Sequence, residues 1–320
     1  MESSLPSGGK RRCTSKEAHM NTSTFRERLE EEGRQARAVA IERLGDLRLG
    51  IERWHEQGLL DAELYRGYLS RFQFSPPDSL PGARSIIIVA DPQPQSRIIF
   101  HRHGEAVTAI LPPTYVHRIP NRRVQDLLTS VLGPEGYTVV RGVLPVKLLA
   151  VRSGLGEYGR NNVCYVPGLG SSHRLTAFFA DWPVDEDHWQ EPAMMDRCRH
   201  CSACLRRCPT GAITAERFLV HAERCLTWFN ERAVELPAWI DRAWHHCLLG
   251  CFHCQRVCPE NRPFLDWVET GAEFSEEETG LLLAGIPADR LPAETLAKLE
   301  SLDLMDAYDV LPRNLGFLLT

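Results

Sequence analysis

The chain has 320 residues with a net charge of −5 and 43% hydrophobic content. That is about two average domains and enough apolar mass for a real core, with no strong field to draw in nucleic acid or an anionic membrane. No run of eighteen apolar residues suggests a membrane span, and the polar start MESSLPSGGKRRCTSKEAHMNTS lacks the apolar stretch of a secretory signal, so a cytoplasmic protein is expected.

Residues 1–23 read as a disordered arm. Residues 24–58 read as helix, with Phe25, Leu29, Leu44, Leu47 and Ile51 at apolar positions. FSPPDSLPGA at 74–83 is a loop by its Pro and Gly content. Ser85 to Ala90 is an apolar run of strand length. RIIFHRHGEAVTAILPP predicts two strands joined near Gly104. Residues 120–132 predict a helix stopped by Gly133-Pro134. GYTVVRGV is a strand, Pro145 to Val151 opens a helix, and SGLGEYGRNN follows as a glycine-rich loop. NVCYVPG and RLTAFFADWP read as two more strands. Strands interleaved with helices over 24–195 predict an α/β cofactor or substrate domain with a mixed sheet. Residues 196–265 predict a two-cluster domain of bacterial ferredoxin type, and 266–320 a helical tail. The fold class expected is therefore α+β.

Nine of the 11 cysteines lie between Cys198 and Cys258. Such clustering in a long chain favours a metal site over a disulfide framework. Cys198-x2-Cys201-x2-Cys204-x3-Cys208-Pro209 is the bacterial ferredoxin run, in which the fourth cysteine serves the other 4Fe–4S cluster. A zinc ribbon shows two separated CxxC pairs instead. The second motif is Cys251-x2-Cys254-x3-Cys258-Pro259, with Cys225 between the two. Exchange of the fourth ligand gives one cluster to Cys198, Cys201, Cys204 and Cys258, and the other to Cys208, Cys225, Cys251 and Cys254. The rival scheme replaces Cys225 by Cys247, whose gap of three residues to Cys251 is one longer than the usual spacing. Cys13 and Cys164 are read as non-ligands, Cys164 as a small buried hydrophobe in a strand.

GLGEYGRNN at 154–162, GLGSSHRLTAFFADWP at 168–183 and GCFHCQRVCPEN at 250–261 together resemble the epoxyqueuosine reductases. LPGARSIIIVADP and LPVKLLAVRSGLG fit the same pattern, and Arg313-Asn314-Leu315 resembles the start of that family's C-terminal helical repeats. The resemblance implies an iron–sulfur oxidoreductase. Two 4Fe–4S clusters would pass electrons to a bound cobalamin, an arrangement shared with reductive dehalogenases. An external ferredoxin or flavodoxin type donor would supply them. Two departures stand out. The family's proton-donating aspartate, three residues before the proline of LPVKLLA, is Gly142 here, and its lysine after GLGxxG is Arg160. With an acidic chain, the expectation is a different, small or unidentified substrate, with tRNA not a partner. The alternative is an electron-delivery protein that reduces a separate corrinoid protein.

Cofactor contacts are expected from Gly154, Gly156 and Gly159, where backbone can approach closely, against the plain reading of a tight turn. Arg160, Asn161 and Asn162 offer donors to corrin amides, against capping and turn duty. Lys147 and Arg152 are candidates to face an anion, against a solvated charged face. Tyr115, His117 and Tyr158 are the candidate proton donors, against a loop histidine and half-buried aromatics.

Overall fold

The computed structural model describes residues 20–67 and 69–319; the arm expected over 1–23 lies almost wholly outside the described residues. In chain order the regular elements begin α1 (Thr22–Glu31), β1 (Gln35–Ala40), α2 (Arg43–Glu56), α3 (Ala62–Gly67), β2 (Ser85–Pro92), β3 (Gln95–Arg102) and β4 (Glu105–Leu111). They continue with α4 (Arg118–Leu132), β5 (Val139–Gly142), α5 (Val146–Arg152), β6 (Glu157–Tyr158), β7 (Cys164–Tyr165) and β8 (His173–Ala180). The cysteine-rich segment holds short helices α6 (Ala203–Arg207), α7 (Leu226–Asn230) and α8 (His253–Arg256). After it come β9 (Val268–Phe274), α9 (Glu276–Leu283), α10 (Ala293–Ser301) and α11 (Leu311–Leu318).

The central sheet runs β1-β2-β8-β5 and is antiparallel throughout. Its middle strand β2 is buried at seven consecutive positions because both faces are covered. Ile86, Ile88 and Ala90 face Leu44, Leu47 and Ile51 of α2 and Leu148 and Leu149 of α5. Ile87 and Val89 face Phe25 and Leu29 of α1 and Val124 and Leu128 of α4. The mixed pairing expected from sequence occurs in a second sheet, where β3 pairs antiparallel with β4 and parallel with β9. His103 and Gly104 close the β3–β4 hairpin, both at positive φ (53° and 77°), as a two-residue turn of this hand requires.

Two expectations are corrected. The helix expected over 24–58 is broken by β1, whose Ala36 and Ala38 are buried. Alanine is a poor strand former in isolation, and pairing with β2 along its whole length overrides that preference. The tail is not simply helical. Strand β9 joins the second sheet, and α9, α10 and α11 pack Leu282, Leu299, Leu311 and Leu315 onto Ile98, Phe100 and Phe274. Among the described residues no helix is long and apolar enough to cross a membrane.

Candidate functional site: two sets of thiols and a cavity

Cys198, Cys201, Cys204 and Cys258 line one small cavity together with Gly159, Arg160 and Tyr165. Three of the thiols come from the first motif and the fourth from the second. The Arg160 guanidinium donates to the Cys198 carbonyl at 2.7 Å and the Cys201 carbonyl at 3.2 Å, so it pins the motif loop. A Cβ on Gly159 would come within 2.5 Å of the Tyr165 ring, which is why this turn is glycine. Burial, followed by neighbouring thiols, pushes the Cys204 thiol up to about 11. Four thiols converging on one cavity are the donor set that an iron–sulfur cluster takes as thiolates.

Cys208, Cys225, Cys251 and Cys254 lie on the wall of a much larger cavity of about 710 Å³, well inside the range of ligand-binding clefts. Burial is the first cause that raises the Cys251 and Cys254 thiols, and repulsion from Cys225 adds to both. Cys247 is buried but lines neither cavity. His246 and His253, with ring centroids 3.7 Å apart, bring ring nitrogens and the Cys251 sulfur within 4.8 Å of one another. Both rings are held by backbone: His246 Nδ1 and His253 Nε2 lie 3.2 and 3.0 Å from the Trp244 carbonyl, and Phe252 N donates to His246 Nε2 at 3.1 Å. His245 instead is buried against Phe317.

The opposite parts of the cavity wall carry polar groups. Tyr115 Oη donates to Glu231 Oε1. Lys147, on α5, is solvent-accessible, yet burial is the first cause that lowers its ammonium, with nearby Cys164, Cys225 and Glu231 opposing. The two observations agree if the accessible surface is cavity wall, which is where Lys147 lies. Glu231 is likewise accessible, and burial raises its carboxyl while the bond from Tyr115 and the charge of Lys147 oppose. His173 of β8 also faces the cavity, with Nε2 3.2 Å from the Cys164 carbonyl, and burial lowers it to about 4, so the ring is neutral at neutral pH.

Of the residues singled out from sequence, Tyr115, Lys147, Asn161 and Asn162 line the large cavity, and Gly159, Arg160 and again Asn161 line the small one. Asn162 takes a positive φ of 54° and is held by bonds to Phe218 and Val220 backbone, so it also serves the turn. Five others line neither cavity. His117 sits between Asp303 and Asp306, 3.5 and 3.4 Å away, as part of the contact with the α10–α11 connection. Tyr158 is turned inward by β6 and packs edge-on to Phe218 at 5.5 Å. Arg152 is buried, 2.8 Å from Glu191 and 5.0 Å over the Trp189 ring. At Gly154 a Cβ would lie 2.7 Å from the His188 ring, and at Gly156 2.7 Å from the Tyr165 carbonyl; both glycines serve packing. Cys164, read as buried, is buried but forms part of the cavity wall. Glu231 carries no motif, and only the fold brings it to Tyr115 across 116 positions.

Gly142 lines the cavity at the end of β5, and a Cβ there would lie 2.6 Å from the Phe179 ring. Gly142→Asp is therefore expected to lose about 1–3 kcal/mol of stability through overpacking. A denaturant midpoint equal to that of the parent would show that Phe179 yields freely.

Residues 197–261 match the family model described as 4Fe-4S double cluster binding domain. An epoxyqueuosine reductase of Staphylococcus aureus is 31% identical over 222 residues, covering 63% of this chain and 57% of that protein. One from Pseudomonas aeruginosa is 28% identical over 242 residues, covering 72% of this chain and 66% of that protein. The chain thus spans less than two thirds of the length of these relatives. The structure of epoxyqueuosine reductase from Streptococcus thermophilus shares the fold, with TM-score 0.63 at 18% identity, covering 94% of this chain and 81% of that one. A crystal structure of epoxyqueuosine reductase with a tRNA-Tyr epoxyqueuosine-modified stem loop shares it with TM-score 0.61 at 20% identity, covering 93% and 82%.

Proposed function

We propose, from the premise that the chain is an epoxyqueuosine reductase-like protein, that it is an iron–sulfur oxidoreductase with a corrinoid in the 710 Å³ cavity. The observation that carries this reading is the shared wall. The thiols of the second set open directly onto the cavity, so a cluster held there would stand next to whatever the cavity holds. The cluster ligands we assign are Cys198, Cys201, Cys204 and Cys258 for the first cluster and Cys208, Cys225, Cys251 and Cys254 for the second. Bound clusters would supply one-electron transfer, and a bound corrinoid would supply a strong two-electron reductant.

The chain's own residues have three tasks. Arg160 fixes the loop of the first motif through its two carbonyl bonds. Asn261 ties the second motif to the α/β domain by accepting from Ser171 N at 2.8 Å and donating to Ser171 Oγ at 2.7 Å. Lys147, Tyr115 and Glu231 set the polarity of the cavity wall. The electron donor in this reading is an external protein of ferredoxin or flavodoxin type.

The absence of an acid at Gly142 supports a substrate different from that of the relatives. The further expectation that tRNA is not a partner is withdrawn. It rested on the net charge of the whole chain, and a structure of the same fold is described with a tRNA stem loop; a local surface, not the sum of charges, decides such contacts. The alternative reading, delivery of electrons to a separate corrinoid protein, gains nothing from a cavity of this size inside the chain itself.

Anaerobic purification followed by iron, sulfide and cobalt analysis tests the proposal. The expected result is about eight irons per chain and a changed visible spectrum when cobalamin is added. Eight irons with an unchanged corrin spectrum would overturn the corrinoid reading and favour electron delivery.

A further inference from the structure

Reductive cleavage of a carbon–oxygen bond needs protons as well as electrons, and the cavity holds one pair of groups built to supply them. We propose that Glu231, hydrogen-bonded by Tyr115, is the acid that donates a proton to substrate oxygen in the cavity. The inference rests on the reductase reading above and adds a catalytic residue to it.

The geometry is specific. Tyr115 Oη donates to Oε1 of Glu231. The other oxygen, Oε2, takes part in no hydrogen bond among the described residues, and the side chain lines the cavity. A proton on Oε2 is therefore available to a bound molecule. The groups facing Glu231 are Tyr115, Lys147 and Cys225.

Both partners are held from several sides. Tyr115 follows Thr114, which takes the rare φ of 91°; such backbone persists only where its surroundings enforce it. Arg174 does so by donating to Thr114 O at 2.9 Å and Oγ1 at 3.1 Å. The Tyr115 hydroxyl rests on Gly250, whose φ is +66° and where any Cβ would overlap it. Asn230, next to Glu231, is fully buried and donates to the Gly250 carbonyl at 2.8 Å. One short network thus sets the positions of donor and acceptor.

The step balances as follows for an epoxide. Two electrons arrive from the external ferredoxin or flavodoxin type donor, and both carbon–oxygen bonds of the ring break. The departing oxygen takes the proton from Oε2, leaving a carboxylate that the Tyr115 hydroxyl stabilises. Solvent returns a proton to Glu231 and supplies the second proton, so that the products are an alkene and water.

The test combines infrared difference spectroscopy with turnover, on anaerobically reconstituted protein. Wild type minus Glu231→Gln, recorded without corrinoid at neutral pH, is expected to show a protonated-carboxyl C=O band. Tyr115→Phe should move that band to higher frequency, because Oε1 loses its donor; this gives an independent check if Glu231→Gln misfolds. With cobalamin, a chemical reductant and a small aliphatic epoxide as the probe, Glu231→Gln should slow turnover about 10²–10⁴-fold at unchanged iron content and corrin spectrum. A missing band, a band indifferent to Tyr115→Phe, or wild-type turnover by Glu231→Gln overturns the inference. Failure of wild type to bind cobalamin overturns the corrinoid reading instead, and the infrared result still decides the state of Glu231.

Discussion

Cys258→Ser is expected to abolish the first cluster and spare the second, although Cys258 belongs to the second motif. The complementary variant Cys208→Ser should abolish the second cluster and spare the first. Iron should fall from about eight to about four per chain in each case, while Cys247→Ser keeps all of it. The ground is spatial. Cys258 lines the small cavity with Cys198, Cys201 and Cys204, whereas Cys208 lines the large one with Cys225, Cys251 and Cys254. The two variants also separate by a second readout. Only the loss at Cys208 should disturb a corrin spectrum, because only that cluster would border the cavity. Retention of full iron by Cys208→Ser, or loss of half of it by Cys247→Ser, would sink the assignment.

Asn314→Ala is expected to cost about 2–5 kcal/mol, far more than a surface change. The Asn314 amide is fully buried and donates to the Asn230 carbonyl at 2.8 Å and the Leu248 carbonyl at 2.9 Å. Removing it leaves two buried acceptors without partners, each worth roughly 1–3 kcal/mol. Next to it, Arg313 donates to the Phe229 carbonyl at 2.7 Å and to those of Val234 and Arg232 at 2.8 and 3.0 Å. Helix α11 thereby holds the segment carrying Glu231. A denaturant titration of reconstituted protein measures the loss, and Asn314→Ala should also lower turnover, since Glu231 is placed through Asn230. An unchanged midpoint would mean that water replaces the amide without cost.

The cysteines were legible because cluster chemistry demands short, fixed spacings, and the exchange of ligands follows from the same rule. The central strands were legible for a simpler reason: SIIIVADP and RLTAFFAD are apolar runs too short for helices and buried on both faces. Strand β1 was hidden because QARAVA has no β-branched residue but Val39, and only its pairing with β2 makes it a strand. In the loop 154–162 the glycines carried two readings, cofactor contact or a tight turn, and those at 154 and 156 answer to His188 and Tyr165. Tyr115 could be picked out as a candidate, but its partner Glu231 could not. A lone glutamate after a short helix has no local signature, and its role exists only once α7 and the loop after β4 meet.

The fastening of Glu231 by Arg313 and Asn314 bears on how the protein matures. Every cysteine of both sets precedes residue 260, whereas the residues that fasten the 226–234 segment come more than fifty positions later. During synthesis the thiols can therefore meet iron before the wall of the neighbouring cavity has its final shape. A chain released only as far as residue 260 would carry all eight of these thiols and still lack the bonds from Arg313 and Asn314 that fix the neighbouring cavity wall.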